Sequence, residues 1–101
     1  MFKSILSSTR DGVSESVLYL TADECFDYHS LPELMRCRQL SVDGCVVDFS
    51  DTLRIDSAAI GGLMLLKRQI QCDGGYLRVV HCSKPIMRLL HGSGREGEAR
   101  L

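Results

Sequence analysis

The sequence has no excess of charge of either sign and no long apolar run. Its 12 basic and 13 acidic residues give a formal net charge of −1, which argues against a dedicated nucleic-acid binder, because such proteins carry a basic surplus. The longest stretch of glycine and apolar residues runs from Ala58 to Leu66, about half of the roughly 20 residues that a membrane span needs. Residues 1–10 lack the apolar core of a signal peptide. We therefore expect a cytoplasmic protein that neither inserts into a membrane nor binds nucleic acid.

Closely spaced cysteines are also missing. Metal sites and disulfide frameworks usually show close or regular cysteine spacing, and this chain has no Cys-x-x-Cys pair. We expect reduced thiols that act as small apolar or surface residues, and neither a metal nor another cofactor. The five residues concerned are Cys25, Cys37, Cys45, Cys72 and Cys82.

Enough apolar sequence is present for one folded domain. The chain has 101 residues, of which 45% are hydrophobic, and this share suffices for a packed core. A chain of this length normally forms a single domain. After His91 the apolar periodicity gives way to glycine and charged residues. We predict one domain over residues 1–91 and a flexible polar tail over residues 92–101.

The first half of the chain predicts an antiparallel strand pair, a helix and a buried strand. Asp11-Gly12 is a typical hairpin turn, and it would join strands over residues 2–8 and 16–20. Ser30 is followed three residues later by Glu33, a capping box that predicts a helix over residues 31–40. The apolar residues over 45–49 then indicate a buried strand.

The second half predicts two more helices and a strand between them. Apolar residues recur at helical spacing over 57–72, and Gly74-Gly75 ends that helix. A strand over 77–82 follows, and Ser83 caps a short helix. This alternation implies right-handed parallel crossovers. The predicted fold is an α/β sandwich, with a small mixed β-sheet and helices packed mainly on one face.

The loop that leads to Ser57 is the most informative segment for function. In open α/β sheets, functional groups gather at the carboxyl ends of strands, and this loop follows the predicted strand over 45–49. A helix N-terminus offers unpaired N–H groups and a partial positive charge, which accommodate a phosphate. Ser57 would therefore be a good N-cap and also a good phosphoryl acceptor; a serine that only caps is the commoner case.

From Val46 to Leu90 the sequence resembles the STAS family, the sulfate-transporter and anti-sigma-factor-antagonist domain. The residues that carry the resemblance follow the family's order: the strand Val46–Ser50, the junction Ile55-Asp56-Ser57-Ala58, the helix Ile60–Leu66, Gly74-Gly75, the strand Leu77–Cys82 and the segment Ser83–Leu90. Upstream, Phe26-Asp27-Tyr28 looks similar to small proteobacterial members that control biofilm or sigma-factor signalling.

The resemblance implies a non-enzymatic partner-switching regulator, with Ser57 at the position of the family's phosphorylatable serine. A GHKL-type serine kinase would phosphorylate Ser57, and a PP2C-type phosphatase would reverse the modification. Only the unmodified form would hold its partner, often that kinase or an anti-sigma factor. We expect the partner surface to consist of Asp23, Glu24, Asp56, Ser57, Ala58, Gly61, Gly62 and Leu65, the last as an exposed apolar anchor.

The chain departs from the family pattern in two places. The family often has Asp-Ser-Ser-Gly-Leu where this chain has Asp56-Ser57-Ala58-Ala59-Ile60, so a second hydroxyl is absent. Family members usually continue into a final strand and helix, whereas this chain has a polar tail from Gly92. We expect that strand and helix to be shortened or absent, which would leave a sheet edge that a second copy could complete.

Alternative functions stay open from the sequence. A STAS accessory subunit of an ABC lipid transporter would bind an ATPase without obligatory phosphorylation of Ser57. A receiver-like domain would be phosphorylated at Asp48, although the order and length of its pattern differ from this chain. A serine hydrolase is disfavoured, because there is no Gly-x-Ser-x-Gly motif around Ser57.

Overall fold

The computed structural model describes residues 1–90, so the predicted tail and His91 lie outside the described residues. Within this part of the chain, four strands form one sheet in the order β1-β2-β4-β6, and two short strands, β3 and β5, form another. The strands are β1 (Phe2–Arg10), β2 (Val13–Thr21), β3 (Cys25–Phe26), β4 (Gly44–Asp48), β5 (Arg54–Ile55) and β6 (Tyr76–Val80). The helices are α1 (Leu31–Cys37), α2 (Ser57–Cys72) and α3 (Lys84–Leu90).

The larger sheet is mixed, as predicted. β1 is antiparallel to β2, whereas β2, β4 and β6 are parallel to one another. The hairpin turns at Asp11 and Gly12, whose φ angles are 52° and 77°. Positive φ at both central residues gives a turn whose twist matches that of paired strands. This match allows β1 and β2 to pair over nine residues each, beyond the shorter strands that we predicted.

The described helices cover one face of this sheet. Successive strand residues point to opposite faces, and Leu18, Leu20, Cys45 and Val47 are fully buried on the helical side. The residues that α2 contributes to the same core are those predicted from its periodicity: Ala59, Ile60, Leu63, Leu66 and Ile70. The sheet therefore presents the carboxyl ends of its parallel strands next to the beginning of α2.

The predicted capping box at the start of α1 is wrong. A 3-10 turn over Tyr28–Ser30 precedes α1, so Ser30 already has helical backbone angles and its side chain makes no capping hydrogen bond. Asp27 caps that turn instead by accepting a hydrogen bond from the His29 amide at 3.1 Å. Glu33 binds Arg36 and Lys3. The helix also ends at Cys37 rather than Leu40, because residues 38–40 continue only as tight turns.

Helix α2 begins and ends where the sequence predicted, at Ser57 and Cys72. Gly74, with φ of 84°, turns the chain, and the Gly75 amide donates to the Ile70 carbonyl at 2.8 Å. A Cβ at Gly75 would lie 2.5 Å from the Asp43 carbonyl oxygen, so this close approach requires glycine. α3 follows β6, and the Ser83 hydroxyl accepts from the Ile86 amide at 3.4 Å, the predicted cap.

Candidate functional site

The site is built at the N-terminus of α2, where Asp56 rather than Ser57 is the N-cap. Asp56 has the extended backbone typical of an N-cap, and its Oδ1 accepts a hydrogen bond from the Ala59 amide at 2.8 Å. Its Oδ2 accepts from the Tyr28 amide at 3.1 Å. The prediction that Ser57 caps the helix is therefore wrong, since Ser57 is already the first helical residue and the cap position is taken by Asp56.

Ser57 is thereby left free for another use. It is the first helical residue and is exposed, and within residues 1–90 its hydroxyl makes no hydrogen bond. The fold does not depend on this hydroxyl. The N-terminus of α2 still supplies the positive end of the helix dipole beside it. Ser57, the predicted phosphoryl acceptor, therefore lies at a kind of position that favours anions in proteins generally.

The segment that contains Asp23 and Glu24 lies next to this helix start. The Glu24 carbonyl accepts hydrogen bonds from the Leu53 and Arg54 amides at 2.8 and 3.1 Å, and the Thr52 hydroxyl donates to the Asp23 carbonyl at 2.9 Å. β3 then pairs with β5 immediately before Asp56. These bonds bring the predicted acidic residues to the loop that leads to Ser57, and both are exposed.

Three of the predicted surface residues follow one another along α2. Ala58, Gly61 and Leu65 are spaced by three and four residues and so share one helix face. Ala58 and Leu65 are exposed, Leu65 to 41%, and Gly61 is half-buried. This strip extends the exposed surface of Ser57 about 12 Å along the helix.

Gly62 lies inside the molecule and not on this strip. A Cβ at Gly62 would lie 2.5 Å from Leu31 Cδ2 and 3.1 Å from Leu34 Cδ1. The absence of a side chain at Gly62 therefore lets α1 approach α2. Gly62, which we predicted to lie on the partner surface, is therefore buried between α2 and α1.

A groove beside Asp56 was not predicted from the sequence. It has a volume of about 380 Å³, and both apolar and charged residues line it. Leu53, one of its apolar residues, is 71% exposed, and it is the single apolar residue in the polar run 50–54, a signal that could have drawn attention to it. We call this feature the Leu53 groove; it is lined by Cys25, Asp27, Leu53, Arg54, Ile55, Asp56 and Leu89.

The structure contradicts the receiver-like alternative. A receiver has a parallel, doubly wound sheet with helices on both faces, whereas β1 is antiparallel here and the described helices lie on one face. Asp48 binds the Ser50 amide at 2.8 Å, and this backbone hydrogen bond is the main reason why its pKa lies below the ordinary value. Asp48 thus closes the turn after β4.

The two described histidines, His29 and His81, do not form a catalytic arrangement with Ser57. His29 is exposed, its ring packs on that of Tyr28 with 4.0 Å between centroids, and its Nδ1 lies 3.2 Å from Asp27 Oδ1. His81 is exposed at the end of β6, with a positive φ of 58°. Over residues 1–90, no hydrogen bond joins a histidine to Ser57, and no group of three or more His, Cys, Asp or Glu side chains could hold a metal.

Comparisons with known proteins show where this architecture occurs. No family model matches the sequence, and no curated protein matches it. Among solved structures, the chain is similar to the anti-sigma factor antagonist SpoIIAA in its unphosphorylated form, with a TM-score of 0.60 and 16% identity over 87% of this chain and 80% of that chain. It is also similar to an antisigma-factor antagonist STAS domain from Rhodobacter sphaeroides, with a TM-score of 0.53 and 19% identity over 83% and 95% of the two chains.

A third similar structure is the Bacillus cell fate determinant SpoIIAA in its phosphorylated form. Its TM-score is 0.56, with 18% identity over 92% of this chain and 84% of that chain. The protein therefore has the fold of the STAS domains of anti-sigma factor antagonists, as the resemblance of its sequence implied. Its described helices include none long and apolar enough to cross a membrane.

Proposed function

We propose that this protein is an anti-sigma-factor-antagonist-like regulator that binds a protein partner around the N-terminus of α2 and releases it when Ser57 is phosphorylated. The observation that carries the proposal is the capping of α2 by Asp56, which leaves the Ser57 hydroxyl exposed and unbonded in the described residues. A residue that does not cap its helix can be modified without loss of the helix. The likeness to SpoIIAA, solved in both unphosphorylated and phosphorylated forms, supports the same function.

The charge at the site suits a switch of this kind. A phosphate adds about −1.5 to −2 charge, and the helix N-terminus beside Ser57 stabilises that charge within the folded protein. Asp56 directly precedes Ser57, and Asp27 and Asp56 line the same groove. Phosphorylation of Ser57 would therefore add negative charge to a surface that already carries carboxylates. A partner whose surface fits a neutral hydroxyl would clash sterically with the phosphate group, and its acidic groups would be repelled by the added charge. Each 1.4 kcal/mol of lost binding free energy weakens binding about tenfold.

The surrounding surface fits a protein partner. Leu65 and Leu53 are exposed apolar side chains on either side of Ser57 along the chain, and the carboxylates of Asp23 and Glu24 are exposed nearby. Protein interfaces commonly join apolar anchors to a polar rim. We propose a GHKL-type serine kinase or anti-sigma factor as the partner and a PP2C-type phosphatase as the enzyme that restores Ser57.

We propose that the protein is not an enzyme and that it acts in bacterial signal transduction. In the cytoplasm, it would control the activity of the partner that it binds. That partner would act in transcription regulation or biofilm control.

Substitution of Ser57 tests the proposal directly. Ser57→Ala should keep the fold and bind the partner constitutively, because it removes the phosphoryl acceptor from an exposed position. Ser57→Asp should weaken binding at least tenfold, because it places a permanent carboxylate there. Ser41→Asp, which adds the same charge at an exposed serine in another loop, is the matched control. Partner affinity is measured by calorimetry after a pull-down from the native host.

Mass spectrometry of the protein from its native host supplies the second measurement. Ser57 phosphate should accumulate when the phosphatase is deleted and disappear when the kinase is deleted. A protein that never carries phosphate on Ser57 and that captures an ABC-transporter ATPase would contradict the proposal and establish the accessory-subunit alternative.

A further inference from the structure

β1 (Phe2–Arg10) lies at one edge of the described sheet, and its middle lacks the features that usually protect a strand edge from pairing. Natural edges are shortened, bulged, or broken by proline or charge. β1 pairs with β2 over nine residues without a bulge, and it contains no proline, glycine or acidic residue. Its two cations, Lys3 and Arg10, stand near its two ends, and Lys3 Nζ lies 3.3 Å from Glu33 Oε1 on α1. The middle of the edge therefore carries no charge.

The edge also exposes apolar side chains. Phe2, Ile5 and Leu6 are 68%, 46% and 59% exposed. Phe2 and Leu6 point to the face of the sheet that the described helices leave uncovered, where Leu6 is paired with Val17 of β2. A long, unbulged edge with exposed apolar residues is a template for another strand.

We propose that two copies of this chain pair through β1, antiparallel about a two-fold axis at Leu6, so that their sheets become one continuous sheet. Identical strands suit antiparallel pairing because the two-fold axis relates every hydrogen bond to a twin. Pairing would place Leu6 opposite Leu6 of the second copy and would remove both apolar edges from water.

The hairpin determines which backbone groups are available for this pairing. A two-residue turn makes Arg10 and Val13 the hydrogen-bonded closing pair, and hydrogen-bonded pairs alternate along an antiparallel ladder. The N–H and C=O groups of the odd-numbered residues 3–9 therefore point away from β2. In full overlap, Ile5 lies opposite Ser7 of the second copy and Lys3 lies opposite Thr9, so these free groups meet each other and no like charges are opposed.

The opposite edge of the described sheet does not offer this complementarity. β6 is only five residues long, and Arg78 lies at its centre. Full antiparallel overlap of β6 with itself would set Arg78 opposite Arg78 of the second copy, and like charges directly opposite are destabilising. The sequence suggested a dimer through the edge left after β6; charge and length favour β1 instead.

Sedimentation equilibrium of the full chain tests the proposal. The unmodified protein should show a monomer–dimer equilibrium, and Leu6→Lys should raise its dissociation constant at least tenfold by opposing two cations at the two-fold axis. Ser14→Lys is the matched control, because Ser14 is also exposed but lies on β2, where its partner in the ladder is the uncharged Thr9. It should leave the equilibrium unchanged, as should Arg78→Leu. A monomer at all concentrations, or equal effects of both lysine variants, would overturn the proposal.

Hydrogen exchange reports on the strand itself and separates a dimer from any other cover. The outward amides of Ile5 and Ser7 should exchange more slowly as protein concentration rises, whereas the inward amide of Leu6 should be protected at every concentration. Protection of Ile5 and Ser7 that does not depend on concentration would show that another segment covers β1 and would reject the dimer. A thermal melt of Leu6→Lys confirms that the variant is folded.

Discussion

At the scale of single residues, Asp56 caps α2 and also binds the Tyr28 amide. The sequence alone could not show whether Asp56 or Ser57 is the cap. Aspartate and serine are both good N-caps, and Asp56-Ser57 offers both in succession. The choice follows from the extended backbone of Asp56 and from the Tyr28 amide, which comes from a part of the chain 28 residues away. The Asp56 carboxylate thus caps α2 and links it by a hydrogen bond to the turn before α1. The Ser57 hydroxyl is not needed for either contact.

Asp56→Ala should therefore destabilise the protein by about 1–2 kcal/mol, through the lost cap and the lost bond to Tyr28. Asp51→Ala, at an exposed position in the preceding turn, is the control and should change stability by less than about 0.5 kcal/mol. Chemical denaturation gives both values. Equal stabilities of the two variants would contradict the role of Asp56 as the cap.

At the scale of elements, the contact between α1 and α2 depends on which of two adjacent glycines faces the neighbouring helix. Both occur in the predicted helix, and the sequence-based prediction placed both on the partner surface. In the structure, Gly62 lies under Leu31 and Leu34, whereas a Cβ at Gly61 would have no described atom within 4 Å outside its own helix backbone. The predicted limits of α2 do not show which of the two glycines lies against α1. The position of α1 in the fold shows that it is Gly62.

The two glycines therefore predict opposite effects of the same substitution. Gly62→Ala should destabilise the protein by about 1–2 kcal/mol, because overpacking against Leu31 and Leu34 costs more than the gain in helix propensity. Gly61→Ala should stabilise it by roughly 0.5–1 kcal/mol, because alanine has the higher helix propensity. Urea unfolding of both variants measures the pair. Destabilisation of similar size in both would show that Gly61 is also packed against another element.

At the scale of the whole molecule, the five cysteines differ in how deeply the fold buries them. All are unpaired; Cys37 and Cys45 are buried, Cys82 is half-buried, and Cys25 and Cys72 are exposed. Burial disfavours the thiolate and raises the pKa of Cys45 to about 12; it also raises the pKa of Cys37. The sequence indicated reduced thiols, but only the packing separates the buried ones from the exposed ones.

Alkylation in the native state should follow this division. Cys25 and Cys72 should react rapidly with iodoacetamide at pH 8, whereas Cys45 should react only as fast as the protein unfolds, because its thiolate is both inaccessible and scarce. Peptide mapping by mass spectrometry gives the rate at each cysteine, and a sample in denaturant gives the rate of the unprotected thiols. Native labelling of Cys45 as fast as Cys25 would mean that the core opens locally.

The sequence by itself determined the features that arise from neighbouring residues. The Asp11-Gly12 turn, the limits of α2 and its buried face follow from local backbone preference and hydrophobic periodicity. The Asp56-Ser57 junction was likewise visible as a candidate site. Only the tertiary structure decided that Asp56 caps α2, that Gly62 is covered and that β3 and β5 contribute to the Leu53 groove beside Asp56. The physical reason is that these depend on contacts between residues far apart in the chain, which no local pattern encodes.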